Sequence, residues 1–347
     1  MSNNLEIAFL PVGNSEKSGD AIAFRYGDFS DPQKQYIVVV DGGTLDSGKE
    51  LVEHIKKYYG SYIDLVILSH PDGDHSSGLR EVLKELKVGE LWMHRPWEHS
   101  EEILNLFIDG RITNNSLSER LKDSYNFAHE LEEIALEKDI TIKEPFANLT
   151  FGNGIIKVLG PTEDYYESLI PEFTKSPEQK SAISKVFSSV KEAVNWIAET
   201  MQIETLSEDG DTSAENSSST IILLDFDFDK YLFTGDAGIE AMQGAIDYAN
   251  NKSIDISNLR FLQVPHHGSH RNISPSILDQ IKCTTAFVSA SKDAPKHPSK
   301  KVVNALIRRG ASVHATEGQI ICHHQNCPSR SGYSSATPLP FYNQVEE

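Results

Sequence analysis

Cysteine and long apolar runs are scarce in this chain of 347 residues. Its three cysteines, Cys283, Cys322 and Cys327, are too few, and odd in number, for a disulfide framework, so we expect a reducing compartment. The sequence contains no run of about 18 apolar residues, the length that a membrane-spanning helix needs. The start, MSNNLEIAFLPVG, has no basic segment followed by an apolar one and is not a signal peptide. These absences predict a cytoplasmic protein without a membrane partner.

Positive charge is also in short supply. Lysine and arginine total 32 against 51 acidic residues, and the net charge of −19 argues against a protein that coats nucleic acid. The imbalance is local, because residues 162–215 hold twelve acidic residues and four lysines, whereas residues 282–309 hold seven basic residues and one aspartate. A basic segment of this kind can serve an anionic substrate even in an acidic protein.

Apolar patterns of two different periods alternate along the chain and predict an α/β fold from about residue 35 onwards. The predicted strands cover residues 5–12, 21–27, 35–43, 64–69, 89–95, 154–161, 220–227, 230–236, 259–265 and 285–290. The predicted helices cover residues 48–59, 78–87, 124–139, 238–250, 274–282 and 299–309.

The acidic block 162–215 interrupts this alternation, and most of residues 176–202 has a helical pattern. We interpret the block as a helical, acidic insertion between two halves of one fold, residues 1–161 and 216–325. Residues 326–347 are rich in proline and serine, which predicts an extended or mobile tail.

Four side chains that bind metals follow one predicted strand. In VILSHPDGDHSSGL (Val66–Leu79), the strand is followed by His70, Asp72, Asp74 and His75. Ligands collect at the carboxyl ends of strands in open α/β sheets, and imidazole with carboxylate suits Zn²⁺, Mn²⁺ or Fe²⁺. The alternative is a solvated turn, which Asp and Gly also favour.

Two later strand ends favour the metal site. LFTGDAG places Asp236 after a second apolar strand, and FLQVPHHGSH places His266 and His267 after a third. Three strands therefore end in residues of the types that bind metals.

These motifs together resemble the metallo-β-lactamase superfamily, and most of all the metallo-β-lactamase domain of the ComEC competence proteins and its stand-alone relatives. The similar stretches are SHPDGDH, TGD (234–236), HHGS (266–269), HP (297–298), VVVDGG (38–43) and the opening PVGNSEKSGDAIAF. The resemblance covers residues 5–322 apart from the insertion. It implies an αββα sandwich, here with a helical acidic insertion, and it is far more specific for the fold than for the substrate.

The resemblance implies two divalent metal ions, zinc or manganese. His70 and Asp72 would bind one ion, Asp74 and His75 the other, and Asp236 would bridge them. Many members have another histidine near residue 160, where this chain has VLGPTED, so the first site is rich in oxygen ligands and manganese gains weight against zinc.

The paired histidines leave two assignments open. His266 lies nearest the strand end and is favoured as the last ligand of the second ion, with His267 as a supporting or substrate-contacting residue. Asp41 is expected to support the site by orienting the loop that carries His70 and His75, and not to bind metal.

The substrate is expected to meet His267, Ser269, Lys296 and His297, the last two within the basic segment 282–309. His297 would hold a phosphate or assist the leaving group, and Asp74 and His297 are the candidate catalytic residues. The alternative for His297 is a loop histidine stacked on Pro298.

The predicted function is metal-dependent hydrolysis by a hydroxide that bridges two metal ions. The preferred substrate is a phosphodiester, in DNA or RNA, because the resembled branch is associated with degrading a DNA strand. One alternative is a small-molecule hydrolase: a lactonase, an amidase or a cyclic-nucleotide phosphodiesterase. Another is a hydrolase within a multi-protein defence or DNA-processing system, with residues 162–215 as a docking surface for a protein partner.

Two further features have more ordinary interpretations. CHHQNC (322–327) contains zinc-type ligands, but its spacing favours a reduced loop over a structural zinc site. Trp92, Trp97 and Trp196 are predicted to be core residues or contacts of the insertion and not platforms for bases.

Overall fold

The computed structural model describes residues 3–13, 18–107, 111–173, 176, 196–328, 330–333 and 336–346. Its strands are β1 Asn4–Phe9, β2 Ala21–Gly27, β3 Gln35–Gly42, β4 Tyr62–Ile67, β5 Lys87–Trp92, β6 Thr141–Lys143, β7 Thr150–Phe151, β8 Ile156–Gly160, β9 Trp196–Ala198, β10 Ile221–Phe226, β11 Asp229–Phe233, β12 Asn258–Gln263, β13 Lys282–Val288, β14 Ser312–Ala315, β15 Ile321–Gln325 and β16 Gln344–Glu346.

The α-helices of the described residues are α1 Leu45–Tyr58, α2 Gly73–Ser76, α3 Leu79–Glu85, α4 Ser100–Ile103, α5 Asn114–Ser124, α6 Asn126–Glu137, α7 Glu163–Leu169, α8 Ala214–Ser217, α9 Ile239–Asn251, α10 Pro275–Gln280 and α11 Lys300–Arg308. No helix within these ranges is long and apolar enough to span a bilayer.

Two seven-stranded sheets pack face to face. Their strand orders are β15-β1-β2-β3-β4-β5-β6 and β14-β13-β12-β11-β10-β8-β7. Aromatic side chains of both sheets fill the space between them, and Phe24 stacks on Phe233 with ring centroids 5.1 Å apart. Helices α1, α3 and α6 cover the outer face of the first sheet, and α9, α10 and α11 cover that of the second. The predicted αββα sandwich is confirmed.

The polarity of the strands places the candidate ligands at one edge of the sandwich. Strands β3 to β6 run parallel in the first sheet, and β11 to β14 run parallel in the second. The backbone N–H of Thr220, just before β10, donates to the carbonyl of Ser69, just after β4, at 2.9 Å. The loop after β4 therefore meets the second sheet at this edge.

The end of the acidic insertion and the carboxyl-terminal tail differ from the sequence-based expectations. The helix predicted over 176–202 does not extend through its last part, because Trp196–Ala198 forms β9 and pairs with β16. Residues 177–195 of that predicted helix lie outside the described residues. The tail contacts the second sheet, because the backbone N–H of Leu339 donates to the carbonyl of Val313, in β14, at 2.7 Å. Its strand β16 forms a two-stranded sheet with β9.

The CHHQNC segment is mainly a strand and not a loop. Most of it belongs to β15, which pairs with β1 so that Cys322 lies opposite Ala8 and His323 opposite Ile7. Neighbouring side chains on a strand point to opposite faces, so Cys322 and His323 cannot converge on one ion. Cys327 donates its Sγ–H to the carbonyl of Leu5 instead, at 2.9 Å.

Three glycines allow the loop that carries His75 to lie close to the first sheet. A Cβ atom on Gly78 would be 2.0 Å from the carbonyl oxygen of Gly42 and 2.5 Å from that of Thr44. A Cβ atom on Gly48, in α1, would be 2.3 Å from the carbonyl oxygen of Gly78. No side chain fits at this crossing, and it fixes the position of α2 relative to β3 and α1.

We expect Gly78→Ala to lower the free energy of unfolding by about 1–3 kcal/mol, because the new methyl group must displace backbone. Gly244→Ala is the matched control: Gly244 lies in α9 with nothing within 4 Å of its Cβ position. Alanine there should leave stability unchanged or raise it by up to about 1 kcal/mol. Denaturant unfolding measures both, and equal effects would contradict the close approach at Gly78.

Candidate metal centre

The loop after β4 presents its candidate ligands in two environments. His70 and His75 are buried, with 1% and 0% of their surfaces exposed. Asp72, which precedes α2, has 41% of its side chain exposed, and Asp74 in the first turn of α2 is half-buried. The imidazoles therefore form the floor of the centre and the two carboxylates lie on its open side.

One carboxylate oxygen lies among four imidazoles. Oδ2 of Asp236 is 3.5 Å from Nε2 of His75, 3.7 Å from Nε2 of His266, 3.7 Å from Nε2 of His267 and 3.9 Å from Nε2 of His70. These separations are too long for hydrogen bonds. They are close to the roughly 3–4 Å between two ligands that each lie about 2.0–2.2 Å from one ion.

Three side-chain atoms of these residues are buried without hydrogen-bond partners. Nε2 of His70, Nε2 of His75 and Oδ1 of Asp236 all lack one. Buried polar atoms without partners are costly and uncommon in folded proteins. The donor set of imidazole and carboxylate therefore fits a divalent cation.

The structure brings together most of the predicted ligands. Four sets at this centre have ligand atoms within 4.8 Å of one another: His70 with His75 and Asp236, Asp74 with His75 and His267, Asp20 with Asp236 and His267, and Asp20 with Asp41 and His75. Of the paired histidines, His267 and not His266 shares a set with Asp74 and His75. Asp72 joins none of these sets, but its Oδ2 lies 3.7 Å from Nε2 of His70.

Asp41 determines which nitrogen of two histidines faces the centre. Its carboxylate lies 2.8 Å from Nδ1 of His75, and it accepts hydrogen bonds from the N–H and the hydroxyl of Ser69, at 2.7 and 2.6 Å. Because that hydroxyl donates to Asp41, it accepts from Nδ1 of His70, 3.0 Å away. Both imidazoles therefore carry a proton on Nδ1, and Nε2 is the nitrogen that faces the centre.

A tight turn after β12 separates the roles of the paired histidines. His266 and His267 both have left-handed backbone angles, with φ of 47° and 55°, which is uncommon for residues other than glycine. His267 is 4% exposed, whereas 29% of the His266 side chain is exposed. Nδ1 of His266 donates to Oδ1 of Asn272 at 2.9 Å, so Nε2 is the nitrogen that faces Asp236.

The Asn272 amide is itself held in one orientation. Its Nδ2 donates to the carbonyl oxygens of Asp236 and Ala237, at 2.8 and 3.3 Å, and the side chain is fully buried. Its Oδ1 must therefore face His266.

Strong attraction between imidazole and carboxylate characterises the centre. Burial alone would lower the pKa of His75, but the carboxylates of Asp236 and Asp41 raise it well above its usual value. Burial would raise the pKa of Asp236, but His75, His267 and His266 hold it well below its usual range. Burial lowers the pKa of His267, which leaves that imidazole neutral and able to bind a cation.

Asp20 is a buried member of the centre that the sequence analysis did not single out. Its Oδ2 accepts a hydrogen bond from Nε2 of Gln263 at 2.8 Å and lies 3.9 Å from Nδ1 of His75. Burial raises the pKa of Asp20 well above its usual value. The signal was available, because Asp20 belongs to the stretch PVGNSEKSGDAIAF and lies directly before β2.

The expected substrate residues lie around the mouth of the centre. The His297 ring stacks against His266, with centroids 5.8 Å apart and planes at 28°. Burial, with His266 beside it, lowers the pKa of His297 to about 4, so this imidazole is uncharged at neutral pH. Ser269 is buried and its Oγ accepts from the N–H of Arg271 at 3.2 Å, and Lys296 is exposed.

We expect Asp41→Asn to reduce affinity for Zn²⁺ or Mn²⁺ by about 10–100-fold, because an amide NH₂ cannot accept the Nδ1–H of His75. Asparagine tolerates left-handed backbone, and φ of Asp41 is 56°, so the fold should persist. Asp46→Asn, at an exposed carboxylate of α1, is the control. Chelator competition measures the affinity, and an unchanged value in folded Asp41→Asn would contradict the orienting role.

Part of this chain is similar in sequence to known proteins. Residues 33–137 match the family model described as the metallo-beta-lactamase superfamily. Recombination protein 2 of Haemophilus influenzae is 36% identical over 112 residues, which are 31% of this chain and 13% of that protein. ComE operon protein 3 of Bacillus subtilis is 29% identical over 119 residues, 34% of this chain and 15% of that protein. The chain thus spans a small part of the length of these relatives.

Among solved structures, the metallo-beta-lactamase fold protein YhfI from Bacillus subtilis is similar over 91% of this chain and 98% of its own, with 9% identity and a TM-score of 0.43. The family match and the two packed sheets confirm what the motifs indicated. The chain has a metallo-β-lactamase fold and resembles the ComEC-type competence branch of that superfamily.

Proposed function

We propose that this protein is a metal-dependent phosphodiesterase that cleaves nucleic-acid strands. The observation that carries the proposal is the carboxylate of Asp236 among four imidazoles, next to a loop rich in lysine. Lys292, Lys296, Lys300 and Lys301 belong to the loop and the helix start that follow β13, on either side of His297. Such a surface suits an anionic substrate held over two cations.

We assign His70, Asp72 and Asp236 to one ion, and Asp74, His75, His267 and Asp236 to the other. His267 replaces His266 in this assignment because it is more buried and its ligand atoms lie with those of Asp74 and His75. When bound, two divalent cations would lower the pKa of water and stabilise negative charge on the reacting phosphate.

The chain's own residues position the substrate and the water. Hydrolysis forms a bond from phosphorus to the water oxygen, breaks the ester P–O bond and transfers a proton to the leaving oxygen. Asp74, on the open side of the centre, is placed to orient the water and accept its proton. The lysines supply positive charge for the phosphate, because the imidazole of His297 is uncharged.

The names of two relatives support a nucleic-acid substrate. One is called a recombination protein and the other a product of the ComE operon. The acidic composition of the whole chain is the chief objection, and residues 162–215 answer it in part, because they carry −8 of the net charge of −19, twelve acidic residues less four lysines. Docking of a protein partner on those residues stays a prediction.

The two histidines of the HHGS motif provide a test of the ligand assignment. We expect His267→Ala to lose one of two bound ions in metal analysis of the purified protein, because it removes a buried nitrogen from the centre. His266→Ala should retain both ions and lose activity only in part. Loss of metal from His266→Ala, with full occupancy in His267→Ala, would restore the order favoured by the sequence analysis.

The activity itself is tested on single- and double-stranded DNA, RNA and cyclic dinucleotides, with Zn²⁺, Mn²⁺ or Mg²⁺ added. We expect strand cleavage that falls to background in His70→Ala/Asp74→Ala. If about four lysines contact phosphates of a single strand, the logarithm of the binding constant should fall with that of salt with a slope of about −3.

Cleavage that survives in the double variant would show that a contaminant is responsible. A rate on a neutral ester or lactone that does not depend on salt, without strand cleavage, would favour the small-molecule hydrolase instead.

A further inference from the structure

Trp196 is a large aromatic side chain on the surface. It begins β9 and is 53% exposed, whereas Trp92 and Trp97 are 0% and 1% exposed. It is therefore not a core residue, contrary to one of the two roles predicted for it. About half of the surface of this tryptophan is therefore available for contact with a ligand.

A lysine lies over the ring. Nζ of Lys300 is 4.2 Å from the centroid of the Trp196 ring and 5.1 Å from that of Tyr342. Lys300 is the first residue of α11, and its ammonium group is held by these two rings. An aromatic ring and a cation thus form one surface.

This surface is close to the metal centre. Lys300 is the third residue after His297, so their Cα atoms are at most about 11 Å apart. The backbone N–H of Ser299 donates to the carbonyl of Gly268, at 3.0 Å, directly after the paired histidines. A strand whose phosphodiester lay in the centre would have its neighbouring nucleotides within reach of Trp196.

The surroundings carry several positive charges. Burial lowers the pKa of the His270 imidazole. The carboxylate of Glu346 acts in the opposite direction, and the positive charges of Lys301, Arg271 and Lys296 lower this pKa further. The carboxylate of Glu346 accepts from the Ser299 hydroxyl and from the N–H of Lys300, the latter at 3.3 Å. The carboxylate of Glu346 therefore already lies beside the backbone of Lys300.

We propose that Trp196 and Lys300 form a stacking platform for a base of single-stranded nucleic acid whose scissile phosphodiester lies in the metal centre. This inference rests on the proposed function and narrows its substrate class. Aromatic rings beside cations are how proteins hold single strands, since every base has a face that can stack. The bases of a duplex are already stacked on one another, so a duplex is not expected to use this platform.

The test measures binding without cleavage. The full chain in excess chelator is titrated with a ten-nucleotide oligothymidylate, and binding is read from the polarisation of a fluorescein label. Stacking should also quench the fluorescence of Trp196, while the buried Trp92 and Trp97 do not respond. We expect saturable binding and quenching with the single strand, and weaker binding with a duplex.

Substitutions then locate the platform. Trp196→Ala should weaken binding about 5- to 100-fold, and Trp196→Phe should restore part of it. Lys300→Met should weaken binding and reduce the salt slope by about 0.7. Phe228→Ala is the matched control, because Phe228 is 100% exposed at the turn between β10 and β11, at the opposite end of β11 from Asp236.

Each outcome decides the matter. Three results would overturn the platform: unchanged binding by Trp196→Ala, an equal loss in Phe228→Ala, or no oligothymidylate binding by the natural chain. The last of these would favour a protein partner for Trp196. Loss of binding in Trp196→Ala, with no cleavage of any strand by the metal-loaded protein, would retain the platform and reject the phosphodiesterase.

Discussion

The buried carboxylate of Asp41 is the contact on which the centre depends. Its two oxygens hold the end of β3 against the backbone and hydroxyl of Ser69 and against the ring of His75. One side chain thus fixes the turn after β4, the position of α2 and the proton of His75, and it fixes that of His70 through Ser69. Without this acceptor, no hydrogen bond from Asp41 would keep the Nε2 atoms of both imidazoles directed to the same point.

A second network joins the two sheets below the centre. Gln263, at the end of β12, receives the backbone N–H of Thr234 on its Oε1 and donates to Asp20, which precedes β2. Ser289, directly after β13, donates to the carbonyl of Gly19. The bonds from Gln263 to Asp20 and from Ser289 to Gly19 therefore join residues far apart in the chain and cross between the sheets.

The sequence predicted the parts of this structure that depend on local pattern. Apolar periodicity located β2 at its observed bounds, and the strand-end rule located Asp236 and His75. Which of the paired histidines is the more buried was not predictable, because two left-handed residues follow β12 and bring the second one inward. The pairing of β9 with β16 joins segments about 150 residues apart, and no local pattern reveals it. Asp20 was missed because a lone aspartate before a strand resembles an ordinary turn.

The candidate ligands come from both sheets, and this has a consequence for folding. His70 and His75 follow a strand of the first sheet, whereas Asp236 and His267 follow strands of the second. A cation held by both sets would act as a crosslink between the two halves of the sandwich. Its binding free energy would also oppose their separation, so the supply of metal would set the lifetime of the folded chain as well as its chemistry.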